Sequence, residues 1–286
     1  MNINKISPDK HKFLQMTSVI DKPPKTLYYA GILPETRTPT VAIVGTRKPT
    51  GYGKEVTYTI AHDLAKQGVV VVSGLALGVD AIAHTAALDA GGTTLAVLPC
   101  GLPRIYPSTN RSLAERILAS GGALISEHDA DKDFSYQSDF LVRNRIVAGL
   151  ADAVVITEAA ARSGTLNTAA HALAQGKDVF VVPGNITSPM STGCNALIKQ
   201  GALVALSAQD ILEAIAPQAL RKQEVLPLGS TPAETAVLQQ LQAGVRDGDE
   251  IQRNAELSVT EINTALTMLE LAGTVCSLGA NQWALR

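Results

Sequence analysis

The stretch VAIVGTRKPTGYG, residues 41–53, carries four apolar residues into Gly45 and then sets Arg47, Lys48 and two more glycines in a turn. Glycines let backbone N–H groups approach an anion closely, and a guanidinium beside them can hold phosphate through paired hydrogen bonds. The pattern is not a nucleotide phosphate loop. G-x-x-x-x-G-K-[ST] needs four residues between its glycines and a hydroxyl after the lysine, whereas Gly45 stands six from Gly51 and Gly53-Lys54 is followed by Glu55. It is not a dinucleotide fingerprint either, because the next apolar run ends in Ser73-Gly74 and not in an acid that would hold a ribose. No cofactor is called for. Further along, FLVRNRIVAGL (140–150) flanks Asn144 with Arg143 and Arg145 in an otherwise apolar stretch. Those arginines have two readings: buried ion pairs with Glu127, Glu158 or Asp152, or phosphate ligands alongside Arg47. One can brace the site while the other faces the anion. Phe140 is either core or a surface for stacking a base, and its type favours core. Asp80 and His84 stand four apart in SGLALGVDAIAH, on one helical face. A catalytic pair would need a nucleophile or metal beside it, and the sequence offers none nearby, so a structural hydrogen bond is expected.

The elements between these residues decide whether they meet. Apolar runs recur at 41–45, 69–74, 94–99, 123–127, 153–158, 178–184 and 202–206. Continuous runs of that length fit strands buried on both faces of a parallel sheet. Between them lie segments with helical spacing, such as Val56, Ile60 and Leu64, or Leu113, Ile117 and Leu118. Right-handed crossovers and a doubly wound α/β sheet follow. The run at 41 is read as the first sheet strand, with residues 1–40 ahead of it. Ligands of such sheets bind outside the carboxyl ends of the strands, where helix amino termini present unpaired N–H groups. Those ends read Gly45-Thr46-Arg47, Ser73-Gly74, Pro99-Cys100-Gly101, Ser126-Glu127, the turn Ser163-Gly164-Thr165, and Pro183-Gly184-Asn185. Small residues with cations among them make an anion-binding rim.

The 286 residues, 46% hydrophobic, suffice for one large core and a smaller second one. Only 4% are aromatic, too few for base stacking to be the main mode of binding a nucleic acid. Cys100, Cys194 and Cys276 are far apart, which signals neither zinc nor a disulfide framework and fits a reducing cytoplasm. No apolar run reaches membrane-spanning length, so no membrane partner is expected. Residues 216–230, APQALRKQEVLPLGS, lose the periodicity and read as a linker between a domain over 27–215 and another over 231–286, with 1–26 as an extension. The second domain opens with Thr231 as N-cap, Pro232 at the first helical position and Glu234 three residues past the cap. It closes in a hairpin around Gly279-Ala280-Asn281, a small winged-helix pattern. Its three cations and seven acids give a net charge of −4, which leaves +2 for the rest of a chain whose total is −2. A weak total charge therefore leaves room for a clustered cationic surface.

Taken in order, VGTRKPTGYG, SGLALGVDAIAH, GLPRIYPSTN, SEH, FLVRNRIVAGLADAVVITEA, SGTLNTAAHA and PGNITSPMSTGCNALIKQGA resemble the blocks of the DNA processing protein A family (DprA, also called Smf) over residues 27–215. The resemblance implies an extended Rossmann-like, mostly parallel sheet, a homodimer, and binding of single-stranded DNA entering during natural transformation. It also implies help in loading the RecA recombinase, and no enzymatic activity, cofactor or metal. It carries the family's loop arginine onto Arg47, beside Gly45 and Thr46. The F-x-x-R-N-R block falls on Phe140, Arg143, Asn144 and Arg145, and the Ser-Gly turns on Ser73-Gly74 and Ser163-Gly164. The basic residue common a few positions before the phenylalanine is Gln137 here, which implies weaker DNA binding. The amino-terminal helical domain of many relatives is expected to be missing. The tail resembles the winged helix of some relatives, but its expected recognition helix, SVTEINTALTMLELAG (258–273), has no Lys or Arg. Groove binding depends on neutralising phosphates, so a protein-contact or regulatory module is expected instead. A rival resemblance is to the Rossmann-like nucleotide phosphoribohydrolases (LOG, or lysine decarboxylase-like), whose P-G-G-x-G-T-x-x-E turn ends in a carboxylate. SGTLNTA has Thr168 in that place, leaving Glu127 and Glu158 as substitutes for the acid that glycosidic cleavage needs.

Overall fold

The apolar runs become strands of a nine-stranded sheet in the computed structural model, which describes residues 1–131, 137–216 and 229–285. The strands are β1 (Asn4–Ile6), β2 (Leu27–Gly31), β3 (Thr40–Val44), β4 (Val70–Ser73), β5 (Thr94–Leu98), β6 (Ala123–Ser126), β7 (Ala153–Ile156), β8 (Asp178–Val181) and β9 (Leu203–Val204). Their order across the sheet is β1-β2-β6-β5-β4-β3-β7-β8-β9. All seven expected strands are present, and each hydrogen-bonded pair among them is parallel. The sheet nevertheless begins at Asn4 and not at residue 41: β2 pairs antiparallel with β6, and β1 antiparallel with β2. β1 is only three residues long with Asn4 and Lys5 exposed at the sheet edge, and β2, although apolar over Leu27–Ala30, leaves Tyr28 and Tyr29 only half-buried. Phe13 and Leu14, between them, are fully buried in the core.

The order of the strands defines the site. From β3 the chain moves outward through α1 (Gly51–Lys66), β4, α2 (Val79–Asp89), β5, α3 (Arg111–Ala119) and β6. It returns through α4 (Gln137–Leu150) to β7 on the other side of β3, then runs outward again through α5 (Thr165–Ala174), β8, α6 (Thr192–Lys199), β9 and α7 (Ala208–Ile215). Reversing direction puts α1–α3 on one face and α4 with α5 on the other, and leaves a crevice between the carboxyl ends of β3 and β7. Ile146, Val147 and Leu150 of α4 pack with Val44, Val97 and Val154 of the sheet in the larger core, whereas Ala114 and Ile117 of α3 pack with Ala96 and Leu98 on the opposite face. Side chains of neighbouring strand residues thus alternate between two buried layers, which is why the strands read as unbroken apolar runs.

The chain divides into two compact units, Met1–Ala219 and Leu220–Arg286. Residues 217–228 of the expected linker and Arg286 lie outside the described residues. The second unit holds α8 (Pro232–Gln242), α9 (Gly248–Asn254), α10 (Val259–Leu271) and the hairpin β10 (Val275–Gly279) with β11 (Gln282–Leu285). Thr231 caps α8 by accepting from the Glu234 N–H at 3.2 Å, with Pro232 following as expected. Ser258 and Glu261 form a reciprocal capping box on α10. Ala280 (φ 48) and Asn281 (φ 55) make the tight turn, both in the left-handed region that a two-residue hairpin requires. Val237, Leu241, Ile251, Ile262, Leu266 and Leu269 close this unit's own core.

Candidate functional site

At the switch point a cavity of about 550 Å3 opens among Gly45, Thr46, Arg47, Lys48, Phe140, Arg143, Asn144, Arg162, Ser163 and Gly164. The loop after β3 is clamped from below. The Thr46 N–H donates to the Glu158 carbonyl at 2.8 Å, and the Val79 N–H donates to the Thr46 carbonyl at 3.1 Å. Thr50 donates its N–H and its hydroxyl to the two oxygens of the Glu158 carboxylate, at 2.8 and 2.7 Å. The contact is close enough that glycine is required opposite the loop: Gly78 has φ +78, and a Cβ there would lie 2.5 Å from the Thr46 carbonyl oxygen. Held this way, the loop projects Arg47 and Lys48, both exposed, over the crevice. The Arg47 guanidinium lies over the Phe140 ring, 5.3 Å from its centroid, and Tyr106 meets the same ring edge-on at 5.3 Å.

Across the crevice, the turn after β7 supplies Arg162, exposed, together with Ser163 and Gly164 at the start of α5. The Ser163 hydroxyl accepts from the Thr165 N–H at 3.2 Å. Asn144 is half-buried and donates to the Asn167 side chain at 3.3 Å. Neither Arg162 nor Lys48 is among the residues that the sequence singles out for the site. The only signal for them is position, in the turns that follow two adjacent strands. Gln137 opens α4, but its side chain lies outside the described residues.

Two residues that the sequence assigns to the DNA site, Ser73 and Arg145, stand behind the rim and not on it, and a third, Arg143, borders the cavity while its guanidinium is held from inside. Ser73 is fully buried and donates to the Ile43 carbonyl at 2.6 Å, tying β4 to β3. Arg145, 7% exposed, gives one guanidinium nitrogen to both oxygens of Glu127 at 2.7 Å, the ion-pair reading of this residue. Arg143, also 7% exposed, donates to the Val97 carbonyl and lies against Gly74, where any Cβ would collide with its guanidinium. Burial lowers Arg143 to about 10, with the neighbouring Asp80 opposing the shift, so it remains a cation at neutral pH. Asp80 itself is raised by burial and held down by Arg143 and by the N–H groups of Ala76 and Gly74. Those N–H groups donate to Asp80 at 3.3 and 3.0 Å. An internal carboxylate therefore fills the amide nest that the Ser73-Gly74 turn offers to an outside anion.

Asp80 and His84 do not bond to each other. His84 Nδ1 lies 2.7 Å from the Thr94 hydroxyl, which spends its own proton on the Val71 carbonyl at 2.8 Å. His84 must then donate from Nδ1, and burial drives its pKa down to about 3. The two carboxylates left to the rival enzyme reading are both committed, Glu127 to Arg145 and Glu158 to Thr50. Among the described residues, no cluster of His, Cys, Asp and Glu side chains could hold a metal ion.

A doubly wound α/β sheet with a cationic rim at its switch point, joined in one chain to a small helical unit with a hairpin, is the class of protein these features define. The chain belongs to the DNA recombination-mediator protein A family, whose profile matches residues 4–216, and the DprA winged helix domain matches residues 217–281. The family is one of recombination mediators and not of enzymes. Protein Smf of Escherichia coli K12 is 38% identical over 274 residues, covering 92% of this chain and 72% of the relative. The X-ray structure of DNA processing protein A from Streptococcus pneumoniae is similar with a TM-score of 0.67 and 34% identity, over 75% of each chain. That of the Helicobacter pylori protein, described for its unique single-stranded DNA binding mode, has a TM-score of 0.64 and 35% identity, over 74% of this chain and 95% of that one.

Proposed function

We propose that this chain binds single-stranded DNA across the crevice at the switch point, chiefly through its phosphates, and acts in the processing of DNA taken up in natural transformation. The observation that carries this reading is the trio of exposed cations, Arg47, Lys48 and Arg162, bordering one cavity whose nearby acids are buried or paired. Acids already held by internal donors present no carboxylate to the strand, while exposed cations can follow its backbone without reading bases. The single-stranded DNA binding described for the Helicobacter pylori relative supports the choice of ligand. Action as a homodimer in the cytoplasm and delivery of the strand to the RecA recombinase belong to the same proposal and rest on the family resemblance. No helix among the described residues is long and apolar enough to cross a membrane. The test is a titration of single- and double-stranded oligonucleotides at several salt concentrations. Neutralising three to five phosphates predicts a log–log slope of roughly −2 to −3.5 for the single strand. Salt-independent affinity, or tighter binding to duplex, would remove the proposal.

A further inference from the structure

The sequence leaves residues 1–26 without a role, and the fold makes them part of a cationic sheet edge. Residues 1–31 hold five lysines and two aspartates, a net charge of +3 in a chain whose total is −2. All five lysines are exposed. The strand register sets Lys5 opposite Tyr28, and Tyr28 opposite Ser126 at the carboxyl end of β6, so this part of the edge borders the same carboxyl rim as the crevice. There a cleft of about 450 Å3 is lined by Lys22, Lys25, Tyr28, Glu127, Asp129 and Arg145. Its two acids are engaged: Glu127 accepts from Arg145 Nη2 through both oxygens, and Asp129 accepts from the Tyr28 hydroxyl at 2.9 Å. Among the described residues, neither Lys22 nor Lys25 forms an ion pair. Arg145 Nη1 is buried and has no hydrogen-bond partner among them. A buried guanidinium donor left unpaired is costly, and an anionic oxygen is the partner that suits it best. Helix α4 thus serves two places, with Arg143 bordering the crevice and Arg145 the cleft from opposite sides of the helix.

We infer that this cleft is a second phosphate-binding site, where Lys22 and Lys25 hold the backbone of a single strand that extends beyond the crevice. The inference rests on the single-strand reading of the crevice. A phosphate group fits because the lysines are unpaired, the two acids are already held, and Arg145 has a donor to spare. Three strand spacings, roughly 14 Å, separate the end of β3 from that of β6, which a few extended nucleotides can span. Lys5, over the Tyr28 ring at 5.6 Å from its centroid, continues the row of cations past the cleft, and a row suits a polymer better than a lone ion.

The experiment titrates the full chain with oligo(dT) of about 6 and about 20 nucleotides at several salt concentrations. The short strand, filling the crevice alone, should show a log–log slope of roughly −2, and the long strand, neutralised at two more phosphates, roughly −3.5. In the double variant Lys22→Gln with Lys25→Gln, long-strand affinity should fall roughly fivefold and its slope should drop to that of the short strand, whose own binding stays unchanged. Lys22→Arg with Lys25→Arg keeps the charge and should keep the long-strand slope. Equal slopes for the two lengths in the wild type, or a long-strand slope that the first double variant leaves unchanged, overturns the second site and leaves the crevice reading standing. Millimolar inorganic phosphate that raises the melting temperature of the wild type but not of that variant, with no change in long-strand slope between them, makes free phosphate the ligand and also overturns the strand contact. Equal weakening of the short strand assigns the lysines to the crevice and overturns it too. Absence of binding at either length removes both readings.

Discussion

Arg143 and Arg145 lie two positions apart on α4, which turns their side chains to opposite sides of the helix. One reaches Val97 and Gly74 in the middle of the sheet, the other Glu127 at the end of β6. Arg47, by contrast, is exposed and free to move toward a phosphate. The three arginines should therefore separate in mutagenesis. Arg47→Ala is expected to weaken single-strand binding by about 1.5–3 kcal/mol, the cost of a lost charge-assisted contact, with an unchanged melting temperature. Arg145→Ala leaves the Glu127 carboxylate without its partner and should lower stability by about 3 kcal/mol in denaturant titration, reduced to the extent that water reaches Glu127. His84 makes a different prediction. Its folded pKa of about 3 lies below the ordinary 6.5, so the unfolded chain binds the extra proton between those values. Its contribution to stability is full above pH 6.5 and is lost as pH falls toward 3, by up to about 1.4 kcal/mol per pH unit. Unfolding titrations at stepped pH should show that slope, and His84→Gln should remove it.

At the scale of elements, the site depends on how closely the loop after β3 seats against the start of α2 and the end of β7. Gly78→Ala would introduce a side chain at positive φ and against the Thr46 carbonyl, so it should destabilise by about 1–3 kcal/mol and displace Arg47. Calorimetry and strand binding on one sample would reveal both losses, and a variant with normal stability and weak binding would contradict the clamp. Helix α4 carries Phe140, Asn144 and both inner arginines, and its far end is fixed by Lys177. The Lys177 ammonium donates to the Ala148 and Gly149 carbonyls at 2.7 and 2.8 Å and also to that of Ala151. A cation at a helix carboxyl terminus satisfies carbonyls that have no partner within the helix. Lys177→Met should cost about 1–2 kcal/mol, read as a lower melting temperature.

For the whole molecule, the charge split sets the expectation for the second unit. Its α10 carries no Lys or Arg, and Gly279, Ala280 and Asn281 at the hairpin add no positive charge. Approach to a duplex is then opposed by the net charge of −4 over residues 231–286. A protein ending at residue 216 is expected to keep full single-strand affinity, and the isolated segment 231–286 to bind no duplex DNA at physiological salt. Micromolar duplex binding by that segment would reverse this reading and make the tail a second nucleic-acid site.

Periodicity along the chain was enough to determine the seven parallel strands, the crossovers between them, the caps of the tail helices and the hairpin turn, because burial on two faces and local backbone chemistry leave marks on consecutive residues. The strands β1 and β2 were not read from the sequence: β1 has too few residues to show a pattern, and the apolar residues Leu27–Ala30 of β2 do not by themselves reveal its antiparallel pairing with β1 and β6. Within the site, the sequence singled out Arg47 and the two inner arginines alike by residue type. Only the tertiary structure separated an exposed cation from two buried ones, placed Arg162 across the crevice from Lys48, and set Asp80 into the Gly74–Ala76 turn. Whether a charge meets solvent or a partner depends on what other strands and helices bring beside it, and Arg143 meets Val97, 46 positions away in the chain.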